Sequence, residues 1–204
     1  MVEDDYDCEF RLAGRPIPSL CGFDTEGRVI YVGTFSKGLG PALRMAYLVL
    51  PERLSRAFDE RLGCYSSTVS TVDQVALARL LESGEYARHV SRYRTSRREA
   101  RDALLAALRA RLGERLVVEE QDSGLHFVMG LRTCAGEREV AIEALRRGVR
   151  VAPLSSFLSL SCDAPAPDGV ARFVMQYEGC DRRSFPAVAD ALALACDGGA
   201  PGRA

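Results

Sequence analysis

Residues 28–45 read Arg28-Val29-Ile30-Tyr31-Val32-Gly33-Thr34-Phe35-Ser36-Lys37-Gly38-Leu39-Gly40-Pro41-Ala42-Leu43-Arg44-Met45. Through Phe35 this stretch is β-branched and apolar enough for a buried strand. Ser36 to Pro41 is a glycine-rich turn, and Met45 to Leu50 is a second buried strand. A strand–turn–strand unit is thus expected, with one amine on its turn. Of the 27 basic residues, Lys37 alone is lysine and all the others are arginine. Arginine replaces lysine readily on a solvated surface. It cannot do so where a primary amine is the reagent, because a guanidinium stays protonated and forms no imine.

The neighbours of Lys37 give that amine a chemistry. Thr34 and Ser36 bring two hydroxyls to the same turn, and Arg44 follows seven residues after the lysine. A site for pyridoxal 5'-phosphate (PLP) needs an amine for the cofactor aldehyde. It also needs hydroxyls and backbone N–H groups for the phosphate, and a guanidinium to neutralise it. Glycines let the backbone approach closely. The opening of the chain supplies a second group, since Met1-Val2 runs straight into Glu3-Asp4-Asp5-Tyr6-Asp7, with almost no strand before it. A carboxylate against the pyridine nitrogen keeps the ring protonated and electron-withdrawing. A phenol can bond the ring hydroxyl.

Further along, Arg15-Pro16-Ile17-Pro18 reads as an extended loop. Pro51 stands at the first turn of a helix over Glu52–Leu62. A second helix runs from about Val72 to Leu81, with Ser70 or Thr71 as its N-cap. Residues 85–112 have apolar residues mostly at helical spacing with many arginines on the other face, and the length suggests one long helix that could connect two domains. Beyond Gly113 short strands and helices alternate: strands at 116–119, 125–131, 149–152 and 172–177, and helices at 137–147, closed by Gly148, and 185–196. This is the pattern of a small α+β domain.

Composition narrows the function. With 204 residues, 47% of them hydrophobic, and a formal charge of −1, the chain has no global attraction to nucleic acid or acidic membranes. No stretch has the roughly 18 apolar residues of a membrane span. A cytoplasmic protein is expected. The seven cysteines show no C-x-x-C pair and read as reduced thiols. His89 reads as helix surface and His126 as facing a core or subunit contact, with no metal-like neighbours. The arginines at 88, 92, 94, 97, 98 and 101 read as a solvated face.

E-D-D-Y-D-x-E-F-R, R-P-I-P-x-L, V-I-Y-V-G-T-F-S-K and P-A-L-R-M-A-Y-L-V-L-P together resemble the aminotransferase-like domain of MocR-type (GntR-family) regulators. That domain belongs to the fold-type I PLP aminotransferases. The likeness continues through residues 66–90 and S-G-L-H-F-V-M. It implies an α/β fold: the C-terminal portion of a large domain over 1–84, a connecting helix over 85–112, a small α+β domain over 113–196 and a disordered tail over 197–204. It implies that Lys37 holds PLP, that Asp4 meets the pyridine nitrogen, and that Tyr6 meets the ring hydroxyl. Thr34, Ser36 and Arg44 are implied to bind the phosphate. Arg172 is the implied anchor for a substrate carboxylate, with Val174 the position favoured by another alignment. The match departs at Gly38 and Gly40, where the family often carries larger residues, and the turn is expected to be looser for it.

The resemblance also implies what else the site requires. The phosphate loop, the aromatic residue stacked on the ring, and the winged-helix DNA-binding domain belong to segments not found here. The chain is therefore expected to expose an apolar strand face that invites partner pairing. Alone it should bind PLP weakly or not at all. The implied partners are an amino acid or other amino compound, and either a second copy or an N-terminal half. No membrane is implied, and no direct nucleic-acid binding by this chain. The alternative readings are the C-terminal part of a true aminotransferase, or an inactive truncated product of either.

Overall fold

The computed structural model describes residues 1–12, 18–40, 42–120, 124–158 and 168–197, and it divides into two compact units, Met1–Arg94 and Thr95–Ala204. Most of the loop at 15–18, Pro41, Cys162 and the tail at 198–204 lie outside the described residues.

The first unit is built on a three-stranded sheet in the order β1 (Val2–Asp5), β2 (Ile30–Thr34), β3 (Ala46–Val49). β1 runs parallel to β2, with Asp4 beside Val32 and Asp5 beside Gly33; β3 is antiparallel, with Thr34 beside Ala46. The acidic opening is thus itself a strand through Asp5, where the sequence suggested that almost none preceded the cluster. Alternation explains how carboxylates are tolerated there. Glu3 and Asp5 are half-buried and fully occupied. Glu3 accepts the N–H groups of Leu20 and Cys21 at the start of the short helix α1 (Leu20–Phe23), and Asp5 accepts the Tyr31 hydroxyl at 2.7 Å. Asp4, between them, is exposed.

β3 departs from the expected buried strand, because all four of its residues are exposed. Leu48 retains 54% of its accessible surface and Val49 46%. An apolar run on both faces is written for a strand covered on both sides. Among the described residues that cover is incomplete, and the exposed face anticipated from the sequence is present. α2 (Glu52–Leu62) and α3 (Thr71–Glu82) follow as expected. Ser70 stands at the N-cap of α3, but its hydroxyl makes no capping bond.

Helix α4 spans Glu85–Leu112 without a break. The two units divide within it at 94/95. In the second unit Ala100, Leu104, Leu108 and Leu112 form a buried stripe at four-residue spacing. The stripe packs in a common core with an antiparallel sheet of order β4 (Leu116–Glu120), β5 (His126–Arg132), β7 (Val170–Gln176), β6 (Ala152–Pro153). Phe127, Met129 and Leu131 lie opposite Met175, Phe173 and Ala171 in register, all six on the buried face. α5 (Glu137–Arg146) and α6 (Phe185–Asp197) contribute Val140, Ala144 and Leu192 to the same core. This is a two-layer α+β arrangement.

The strand expected at 149–152 shrinks to Ala152–Pro153. Its first residue is held elsewhere. Val149 N–H closes the end of α5 by donating to Ala144 O at 3.0 Å, while Gly148 takes the left-handed φ of +80° that this ending requires. Two of the arginines expected to be solvated also differ. The side chains of Arg97 and Arg101 are only 16% and 11% exposed, paired with Glu178 and Asp102 respectively.

Leu108 has no accessible surface. Leu108→Ala is expected to lower unfolding stability by about 2–5 kcal/mol through lost transfer energy and the cavity left behind. Urea unfolding of the two proteins measures this, and a change below about 1 kcal/mol would contradict the placement of α4 in the core.

Candidate cofactor site around Lys37

The geometry of the lysine turn starts from one carbonyl. Phe35 N–H and the Thr34 hydroxyl both donate to Met45 O, at 3.0 and 3.2 Å, and thereby close the loop from 35 to 45. Lys37 leaves this closure on one side, and Arg44 arrives at it on the other. Immediately after β2 the backbone takes a helical turn, with Leu39 N–H donating to Phe35 O at 2.9 Å. Lys37 is exposed on that turn, and its amine has no hydrogen bond or ion pair among the described residues.

Arg44 is the one described non-glycine residue with positive φ, at 47°. A side-chain-bearing residue reaches that region only when its surroundings hold it there, and such positions cluster at functional sites. Here the held residue is the arginine that follows Lys37 by seven positions.

The hydroxyls divide their work. Thr34 Oγ1 accepts Ser36 N–H at 3.1 Å while donating its only proton to Met45 O. In this conformation Thr34 has no proton to offer a phosphate, and it organises the turn instead. The Ser36 hydroxyl has no partner among the described residues. On the neighbouring strand, register places exposed Asp4 beside Val32, on the side of the sheet opposite the Asp5–Tyr31 bond. Tyr6 follows at the end of β1, 45% exposed. Partial burial, then Asp7 and Asp4, push its phenol above the ordinary range, so it remains a proton donor at neutral pH.

Sequence reasoning missed the underside of this turn. His89, expected as helix surface, is half-buried, and its Nε2 lies 2.7 Å from Gly38 O. Tyr86, 8% exposed, bonds Glu9 and meets Phe35 edge-on at 5.7 Å. Gly38 itself is buried, and a Cβ there would lie 2.7 Å from the Tyr86 hydroxyl. The missing side chain makes room for Tyr86. Tyr86, His89 and Tyr93 fall on one face of α4 by spacing, and that pattern was the available signal. Gly33 is similarly overlain by the Tyr47 ring, 2.4 Å from where its Cβ would be.

Arg172 lies on β7 in the second unit, on the face opposite the core. Its Nε donates to Glu119 Oε1 at 2.8 Å, and its NH1 and NH2 donate to Asp168. The guanidinium is therefore clamped by two carboxylates. Val174 shares that face, and His126 is half-buried there. Among the described residues no group of His, Cys, Asp and Glu could hold a metal, the cysteines are unbridged, and no helix is long and apolar enough to cross a membrane.

A strand that hands a lysine to a closed turn beside an aspartate-bearing parallel strand, ahead of a long helix and a small α+β unit, is the arrangement of fold-type I aminotransferases. The chain belongs to the aminotransferase class I and II family, whose sequence profile matches residues 9–175. It is 41% identical over 155 residues to the uncharacterized HTH-type transcriptional regulator YdeL of Bacillus subtilis, covering 76% of this chain and 34% of YdeL. It is 39% identical over 156 residues to the probable rhizopine catabolism regulatory protein MocR of Rhizobium meliloti, covering 76% of this chain and 31% of MocR. Among solved structures, LysN, the α-aminoadipate aminotransferase of Thermus thermophilus, superposes with a TM-score of 0.75 at 26% identity, covering 97% of this chain and 50% of LysN. LysN was solved with N-(5'-phosphopyridoxyl)-L-leucine. The chain thus spans about a third of the curated relatives and half of LysN.

The Asp168 carboxyl is lowered to about 2, first by its hydrogen bonds from Arg172. A folded value below the ordinary one, about 3.9, stabilises the fold above that ordinary value. The contribution is lost as pH falls through about 2. At about pH 3, carboxyl-carbon NMR should therefore find Asp168 still mostly ionised. In Arg172→Met it should be mostly protonated. Identical titrations in the two proteins would dissolve the clamp.

Proposed function

We propose that this chain is the C-terminal part of the PLP-binding, aminotransferase-like effector domain of a MocR-type transcriptional regulator, with Lys37 as the residue that holds the cofactor. The observation supporting this reading is the closure of residues 35–45 on Met45 O, a loop that carries Lys37, whose amine has no partner among the described residues, and Arg44, whose backbone is held at φ 47°. The donor set fits PLP. Arg44 and the Ser36 hydroxyl suit a phosphate dianion, Lys37 suits an aldehyde, and Asp4 suits a protonated ring nitrogen.

When bound, the cofactor supplies an electron-withdrawing ring joined to an amino group. Asp4 would hold the proton on the ring nitrogen. Tyr6, kept protonated, would donate to the ring hydroxyl. Arg44 would neutralise the phosphate, and Thr34 would keep the turn closed while Ser36 donates. Lys37 would carry a proton to and from the bound amino compound. Arg172, committed to Glu119 and Asp168, is left out of the assignment for a substrate carboxylate. The ligand class is an amino acid or other amino compound. The DNA-binding function of the whole protein would lie in its helix-turn-helix segment and not in this chain. The exposed face of β3 supports a domain completed by a preceding segment or a second copy, in a cytoplasmic dimer.

A second reading, the C-terminal part of a true aminotransferase, is favoured by the likeness to LysN. The reading frame immediately upstream separates the two: a winged helix selects the regulator, and an aminotransferase N-terminal half without one selects the enzyme.

With Lys37 the only lysine, the amine can be read directly. Incubation with PLP, borohydride reduction and peptide mass mapping should place the label on Lys37 ahead of the N-terminal amine. Arg44→Ala should slow that labelling roughly tenfold, the loss of one charge-assisted hydrogen bond. Equal labelling of the two amines, indifferent to Arg44, would sink the assignment.

A further inference from the structure

We infer that His89, supported by Tyr86, is a positioning residue for Lys37: helix α4 grips the backbone one residue after the lysine and thereby sets the direction of its amine. The inference deepens the proposed function and rests on its assignment of Lys37.

Three observations carry it. The turn is intrinsically loose. Gly38 and Gly40 flank Leu39, Gly40 has φ +93°, and glycine gives up more conformational freedom on ordering than any other residue. Among the described residues two backbone bonds inside the loop oppose that freedom, Leu39 N–H to Phe35 O at 2.9 Å and the longer Leu43 N–H to Gly40 O at 3.4 Å, and neither holds the carbonyl of Gly38. A lysine on such a turn points in one direction only if something outside holds the backbone.

The second observation is the grip. A carbonyl oxygen can only accept, so the 2.7 Å contact between His89 Nε2 and Gly38 O requires the proton on Nε2. Fifty-one positions separate the two residues, so the bond is tertiary. The His89 ring is backed by Tyr93, 6.4 Å away between centroids and tilted by 33°, and Tyr93 meets Phe10 edge-on at 5.3 Å. The donor is therefore held in place by aromatic packing within the first unit.

The third is the stop. Tyr86 lies where a side chain on Gly38 would be, with its hydroxyl 2.7 Å and two ring carbons 3.2 and 3.3 Å from the position of that Cβ. Its own place is fixed by the bond to Glu9 and by Phe35, the residue two before the lysine. The turn is thus held on both sides of Lys37, at Phe35 and at Gly38, while the amine is exposed and has no partner among the described residues. None of these groups needs to touch the cofactor.

The test uses His89→Leu and His89→Gln in the longest form of the protein that carries this chain. The Gln amide nitrogen sits the same number of bonds from the backbone as Nε2 and can donate to Gly38 O, whereas leucine cannot. Three quantities are read: the thermal midpoint, hydrogen exchange at Leu39 N–H, and the rate of borohydride-trapped PLP labelling of Lys37. In His89→Leu the exchange should quicken at least tenfold and the labelling should slow several-fold. His89→Gln should restore both, with midpoints alike in the two variants. If His89→Leu labels Lys37 at the unaltered rate, or if Gln fails to restore it at an equal midpoint, the inference is overturned. If the unaltered protein does not label Lys37 at all, the cofactor assignment fails, while Leu39 exchange still reports whether His89 holds the turn.

Discussion

The carbonyl of Met45 is the point on which the candidate site depends. It takes one hydrogen bond from the backbone of Phe35 and one from the hydroxyl of Thr34. Those two bonds end the pairing of β2 and β3 and begin the turn. A backbone acceptor with two lone pairs can take both, one from the main chain and one from the Thr34 hydroxyl. The consequence reaches Arg44, which precedes Met45 and is carried into the left-handed region. The strain at Arg44 is sustained because the closure fixes the residue after it.

Below the turn, aromatic side chains replace the rigidity that the glycines remove. Gly33 lies under Tyr47 and Gly38 under Tyr86, so each missing Cβ is matched by a ring. Tyr31, Tyr47, Phe35 and Tyr86 then form a continuous aromatic layer with centroid separations between 5.2 and 6.1 Å. Asp5 and Glu9 accept hydroxyls of this layer, which satisfies the polar ends of rings that pack tilted or edge-on. The carboxylates of the opening segment thus have separate places: Glu3, Asp5 and Glu9 accept hydrogen bonds within the fold, and Asp4 is exposed between occupied neighbours.

The second unit shows the opposite economy. Its core is closed, with the Tyr177 hydroxyl satisfied by Gly124 O and the Glu137 carboxylate bridging Ser155 and the backbone of Arg172. Arg172 is embedded in that network and not presented from it. A guanidinium between two carboxylates would have to release one of them to take a third, and the pairing of Asp168 resists this at neutral pH. Among the described residues the first unit, by contrast, leaves the apolar strand β3 exposed.

The sequence by itself determined the local features. The lone lysine, the strand that delivers it, the four-residue stripe of α4 and the glycine ending α5 each rest on a few neighbouring residues. Period and propensity act at that range, so these features were legible. The tertiary structure decided the pairings between distant segments. Nothing local says that Asp4 belongs beside Val32, that His89 reaches Gly38, or that Arg172 is claimed by Glu119, because each depends on a register or a crossing set by the whole core. The same reason explains β3: its residues specify a covered strand, but whether cover is present is a property of what packs against it and not of the strand.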